Sequence, residues 1–329
     1  LTKKLVILNA ILHPDARNLL FSALDIKVYE SFDRDEVLGR LPQAQAIILG
    51  GIRMGPAEMD LGEQLEVIGR HGMGIDNIDL AAATERRLPV THTPEGPTES
   101  TAEHTLMLIL AAACRLSQFD RAVRSGGFRV QDDQANMGYE LRGKTLGVIG
   151  FGRIGRRVAQ MCRDALDMTI LIHDPYQSAA EIEAWGATPV ADLVEMAAQV
   201  DVLSAHVPLT EQTRHLINRD VIRAMKPAGI LVNMARGPVL DEAALIDALH
   251  DGLLGAVGLD VFDPEPPELD NPLFEIERVV LTPHTGSFTY EGRRLMGVTV
   301  VQDVLDALGG KRPRFMANPQ VWEDRCNPA

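Results

Sequence analysis

Short apolar runs separated by amphipathic stretches set the rhythm of this chain. Residues 5–8, 26–29, 46–49 and 66–69 read as strands, and helical candidates lie between and after them at 14–23, 33–41, 56–62 and 79–86. Strands alternating with helices predict a parallel sheet with crossover helices. The same alternation restarts at Lys144 and continues through apolar runs at 202–205, 230–233, 256–259 and 279–281, so a second doubly wound sheet is expected. A long helix over about 99–115 should separate the two sheets, and a last helix over about 290–308 should return to the first. The longest apolar run, 106–114, is too short to cross a bilayer and sits inside that first long helix.

The second sheet opens on a recognisable piece of chemistry. The apolar run 145–149 leads into Gly150, Gly152 and Gly155, then a helical stretch, then a second apolar run ending on Asp174, 24 residues after Gly150. Glycine spacing alone is weak evidence in a chain with 28 glycines, but a strand before it and a helix, strand and acid after it make a dinucleotide fingerprint. Gly150 permits the tight turn, Gly152 lets backbone approach a pyrophosphate, and Gly155 lets helix and strand pack closely. The phosphates are expected on the helix N-terminus around Arg153 and Ile154, where the dipole favours anions. Asp174 should accept from the adenosine ribose hydroxyls and repel a 2′-phosphate, which favours NAD over NADP. The expected class is α/β, with two doubly wound, Rossmann-like domains: a substrate domain of residues 1–98 and 288–329, and a cofactor domain of 99–287 inserted into it. A ligand cleft is expected between them.

Composition narrows the partners. With 46 acidic against 32 basic residues the net charge is −14, which disfavours nonspecific binding to nucleic acid or anionic membrane. Three cysteines (Cys114, Cys162, Cys326), no CxxC and no histidine cluster argue against a disulfide framework or a metal site, and suit a reducing cytoplasm. No signal-peptide pattern precedes the first strand, and a start at Leu1 suggests a trimmed terminus.

Ligands meet the carboxyl ends of strands in open α/β sheets, so polar residues there carry the candidate chemistry. Arg236 follows one strand, Glu265 lies in the proline-stiffened loop after the next, and His284 follows the last. Reducing a 2-oxo acid needs a hydride, a proton for the carbonyl oxygen and a cation for the carboxylate. Histidine titrates near neutral pH and suits the proton; a neighbouring carboxylate would favour its charged form and orient the ring. Arg236 offers a planar fork of donors matched to a carboxylate or carbonyl oxygen.

At this point the chain resembles the D-isomer-specific 2-hydroxyacid dehydrogenase family over nearly its whole length. The matching segments are 72–79 (Gly-Met-Gly-Ile-Asp-Asn-Ile-Asp), 101–105 (Thr-Ala-Glu-His-Thr), 150–155, 206–210 (His-Val-Pro-Leu-Thr), 233–237 (Asn-Met-Ala-Arg-Gly), 260–266 and 282–284 (Thr-Pro-His). The resemblance implies that Arg236 binds substrate, that Glu265 and His284 form the acid/base pair, and that backbone N–H groups around Met73 and Gly74 hold the substrate carboxylate. It places His206, Val207, Pro208, Thr213, Met234, Ala235 and Asp260 around NAD, and implies a homodimer formed through the cofactor domains. Glu265 speaks against formate dehydrogenases, which carry Gln there, and Met73 against phosphite-oxidising relatives, which carry Lys. The pattern is most similar to phosphoglycerate dehydrogenases and to glyoxylate or hydroxypyruvate reductases, in a short form without an added regulatory domain. Arg53 could meet a second anionic group on the substrate, although a solvent-exposed role is the commoner fate of an arginine. The segment 94–97 (Pro-Glu-Gly-Pro) departs from the family, and an extra carboxylate at Glu95 would disfavour a phosphorylated substrate. The alternative is an NAD(H)-sensing binding protein with little turnover, like the family's corepressors.

Overall fold

The computed structural model describes residues 3–129 and 134–326. The chain divides into two compact units, Leu1–Thr98 with Ser287–Ala329, and Glu99–Gly286.

The first unit is built on five parallel strands, β1 (Lys4–Asn9), β2 (Ile26–Glu30), β3 (Ala46–Leu49), β4 (Val67–Arg70) and β5 (Val90–Thr91), in the order β2-β1-β3-β4-β5. Crossovers run through α1 (Pro14–Ser22), α2 (Arg34–Arg40), α3 (Pro56–Leu61) and α4 (Leu80–Glu85). Continuous apolar runs form β1, β3 and β4 because both faces are covered. Val6, Leu8 and Ile48 face one cluster, Ile7, Ile47 and Leu49 the other.

The second unit begins with α5 (Thr98–Ala113) and α6 (Leu116–Arg124). Its chain then winds through β6 (Thr145–Ile149), α7 (Arg153–Leu166), β7 (Thr169–His173), α8 (Ala179–Trp185), β8 (Thr188–Pro189), α9 (Leu193–Gln199), β9 (Val202–Ala205), α10 (Arg219–Ala224), β10 (Ile230–Asn233), α11 (Glu242–His250), β11 (Ala256–Leu259) and β12 (Val279–Leu281). All seven strands are parallel, in the order β12-β11-β10-β9-β6-β7-β8. The direction of winding reverses between β6 and β9, the switch point where a doubly wound sheet leaves a crevice at its strand ends.

The chain then returns to the first sheet. Helix α12 (Tyr290–Leu308) buries Val300, Val301 and Val304 in the cluster under β1 and β3, and α13 (Gln320–Cys326) follows. Between them the chain closes the edge at β5: Ala317 N–H donates to Val90 O at 2.8 Å, and the fully buried Asn318 accepts from Val90 N–H at 2.8 Å. Three elements differ from the hydrophobic pattern. The strands β5 and β8 are two residues long, too short for a run to announce them, and α7 starts at Arg153, five residues before Val158, the first large apolar side chain it buries.

Candidate active site

The glycine turn is shaped by contacts that exclude side chains. Gly150 has φ +90°, and a Cβ on it would lie 2.7 Å from Val207 Cγ1 and 2.8 Å from His206 O, across the switch point. A Cβ on Gly155 would run into the carbonyl oxygen of Gly150, so only glycine lets α7 start this close to β6. Helix α7 has no side-chain cap at Gly152, and the space where Gly152 would carry a Cβ is open. Arg153 and Ile154 occupy the first turn. Asp174, just past β7, accepts from Phe151 N–H at 2.7 Å and Tyr176 N–H at 2.9 Å, which fixes its carboxylate beside the turn.

His206 follows β9. Its Nε2 shares a 2.9 Å hydrogen bond with the Ser204 hydroxyl, while Nδ1 is enclosed with no partner among the described residues. Burial pushes the ring down to about 3, so it is neutral. Further along, Thr213 donates its hydroxyl to Pro208 O at 2.6 Å and accepts from Thr210 N–H at 2.8 Å, tying the 208–213 loop into one turn. An open cradle over an uncapped helix start, an acid at the next strand end and an enclosed, unpartnered ring nitrogen fit a dinucleotide.

At the end of the next strand, β10, Asn233 organises the loop that presents Arg236. Its side chain accepts from Ala235 N–H at 3.0 Å and donates to Arg236 O at 2.9 Å. Met234 and Ala235 are buried, and Arg236 donates from Nη1 to Ala235 O at 2.7 Å. The next residue must be Gly237, because a Cβ there would collide with Phe262 O. That close approach brings the Arg236 loop against the loop that carries Glu265.

Glu265 and His284 meet directly: His284 Nδ1 is hydrogen-bonded to Glu265 Oε1. Burial alone would raise the Glu265 carboxyl. The bond from His284, the charge of that ring, the Phe262 N–H and the charge of Arg236 outweigh it and hold the group below its ordinary value. A cavity of about 520 Å³ lies beside the pair, with Phe262, Phe274, Leu281 and Pro266 among its walls. Asp260, expected near the cofactor, is almost fully buried. Its carboxylate accepts from Thr282 Oγ–H at 2.6 Å and from the N–H groups of Thr285 and Gly286, each at 2.8 Å, so it braces the loop that carries His284. Sequence reasoning missed this brace and the part played by Asn233. A polar residue at the end of a buried strand was the available signal for both.

The remaining candidates lie in the first unit. Arg70 donates to Gly74 O at 2.9 Å and His71 O at 2.8 Å, Thr93 N–H donates to Gly72 O at 2.9 Å, and His92 Nδ1 lies 3.1 Å from Met73 O. The loop carbonyls are thus engaged, whereas the N–H groups of Met73 and Gly74 donate to nothing among the described residues. Arg53 is exposed in the loop after β3 and forms no ion pair among the described residues. Glu95 is drawn to Arg314 at 3.2 Å, which offsets the extra negative charge expected there.

Among the described residues no group of three or more His, Cys, Asp or Glu could hold a metal, and no helix is long and apolar enough to cross a membrane. The model of the "D-isomer specific 2-hydroxyacid dehydrogenase, NAD binding domain" matches residues 106–286. The D-3-phosphoglycerate dehydrogenase of Archaeoglobus fulgidus is 40% identical over 298 residues, covering 90% of this chain. This chain spans only 56% of that protein's length. The glyoxylate reductase of Pyrococcus furiosus is 34% identical over 316 residues, covering 94% of this chain and 93% of its own. Among solved structures, the TT0316 protein of Thermus thermophilus superposes with a TM-score of 0.87 at 35% identity, covering 95% of this chain and 99% of its own. The chain belongs to the D-isomer specific 2-hydroxyacid dehydrogenase family and carries that family's NAD-binding domain.

Proposed function

We propose that the protein is an NAD-dependent dehydrogenase that interconverts a small D-2-hydroxy acid and its 2-oxo acid, of the glyoxylate, hydroxypyruvate or phosphohydroxypyruvate class. The observation that carries this reading is the His284 to Glu265 hydrogen bond at the strand ends, with Arg236 close enough for its charge to act on Glu265. An ionised Glu265 only accepts, so Nδ1 of His284 keeps its hydrogen and Nε2 is the nitrogen that exchanges a proton. In reduction, Nε2–H gives its proton to the carbonyl oxygen; in oxidation, Nε2 takes the hydroxyl proton. Arg236 holds the substrate carboxylate or carbonyl oxygen as charge develops there. The N–H groups of Met73 and Gly74 hold the carboxylate, and Arg53 is available to a second anionic group. NAD(H), held by the glycine turn with Asp174 at its ribose, supplies the hydride donor and acceptor.

Consumption of NADH on addition of glyoxylate, hydroxypyruvate or phosphohydroxypyruvate tests the reading. His284→Ala should lower kcat by about 10²–10⁴-fold. Absence of turnover across a broad 2-oxo acid panel would overturn it, and micromolar NADH binding without turnover would favour the sensing role.

We also propose a homodimer formed through the cofactor units. Support comes from large apolar side chains left exposed on α5 and α6 and in the segment that follows: Met107, Leu110, Leu116, Val123, Phe128 and Met137.

A further inference from the structure

Behind the loop that carries His284, helix α5 crosses the end of β11. Leu108 Cβ lies 3.1 Å from where Gly258 would carry a Cβ, so the helix packs there directly on the backbone of β11. His104 precedes Leu108 by one helical turn, and Asp260 follows Gly258 by two residues, so each repeats the face of its neighbour. The two side chains consequently meet. His104 Nε2 is 3.6 Å from Asp260 Oδ1 and 2.9 Å from Thr282 Oγ1.

A proton count fixes what each group does. Asp260 already accepts one backbone N–H on each oxygen, from Thr285 and Gly286, and Thr282 gives it the hydroxyl proton over 2.6 Å. A hydroxyl has one proton, so the Thr282 oxygen is left as an acceptor toward His104. The hydrogen in that 2.9 Å contact must therefore sit on Nε2 of His104. Among the described residues no Lys or Arg pairs with the buried Asp260 carboxylate; His104 is the group within ion-pair reach.

Asp260 in turn determines where His284 is. Its backbone carbonyl accepts from His284 N–H at 2.8 Å, and its carboxylate grips residues 282, 285 and 286 on either side. Between those grips His284 takes φ +52°, a left-handed conformation that a residue with a Cβ adopts only when its surroundings impose it.

We propose that His104 is a positioning residue for the reaction: held as the Nε2–H tautomer, it donates to Thr282, aims that hydroxyl at Asp260, and so fixes the loop that presents His284. The inference rests on the reading of His284 as the acid/base group. Its tautomer claim stands without that reading.

The decisive comparison is His104→Leu against His104→Gln, whose terminal amide can still donate where Nε2 does. Loss of the donor should lower kcat by about 10- to 100-fold with a smaller change in KM for NADH, since displacement of a reacting group by an ångström costs up to about 10²-fold. The glutamine variant should recover most of that loss. Thr282→Val should match His104→Leu, and the double variant should be no worse than either, because all three break one chain of bonds. Nitrogen-15 NMR of the apo protein should show a protonated Nε2 for His104. A wild-type kcat in His104→Leu, or a glutamine variant as impaired as the leucine one, would overturn the positioning role; a protonated Nδ1 beside a bare Nε2 would overturn the tautomer. If the wild type turns over no 2-oxo acid, the proposed reaction fails and the NMR result still decides the tautomer.

Discussion

Single side chains carry the clearest consequences. Glu265→Gln keeps the shape of the pair but removes the charge that favours a protonated ring, so kcat for reduction should fall by about 10²-fold. The alkaline limb of its pH profile, a property of the pair, should move to lower pH, as initial rates from pH 5 to 9 would show. Asp174→Ser removes the charge opposed to a 2′-phosphate, and the ratio of kcat/KM for NADH over NADPH should fall by about tenfold or more, roughly 1.4 kcal/mol. His71 is buried between strand ends, and burial together with the charges of Arg293 and Arg70 pushes it down to about 3. Its folded value lies below the ordinary 6.5, so the stability it contributes is complete above pH 6.5 and is lost as pH falls toward about 3. The melting temperature should accordingly drop less between pH 7 and 4 in His71→Leu than in the wild type.

Elements show why parts of the site could be read and others not. The central strands of both sheets are apolar runs with both faces buried, a pattern that survives in a bare sequence, and the glycine fingerprint is legible because Gly150 and Gly155 answer steric demands while Gly152 leaves its side open. The loop around Asp260 is different. Its carboxylate could be placed near the reaction, but the N–H groups of Thr285 and Gly286 that occupy it have no side-chain identity to read. Helix α6 was not anticipated either: none of its residues is buried, so no buried stripe marked it, and Leu116 and Val123 are left outward. Glu95 could be seen as an extra carboxylate, while its partner Arg314 lies more than two hundred residues away in sequence. The steric demand at the glycine turn is testable. Gly155→Ala must push α7 from the Gly150 carbonyl, at a cost of about 1–3 kcal/mol for an overpacked contact, and should weaken NADH binding measured by fluorescence.

On the scale of the whole molecule, the exposed apolar residues of α5 and α6 lead to a prediction about assembly. Charged substitutions such as Leu110→Glu with Leu116→Glu should shift the protein from dimer to monomer in sedimentation equilibrium, with the fold retained by circular dichroism. The division of the chain also has a temporal side. The second unit is one uninterrupted stretch, whereas the first is assembled from two pieces separated by nearly two hundred residues. At ordinary translation rates of about 5–20 residues per second, the first piece leaves the ribosome about 10–40 s before its missing helix. Through that interval the apolar surface that later receives Val300 and Val304 stands uncovered, and the β5 edge lacks Asn318 and its neighbours. The nascent chain thus carries a finished nucleotide-binding unit beside an unfinished one, and its vulnerability to aggregation and proteolysis during synthesis should lie in its first hundred residues.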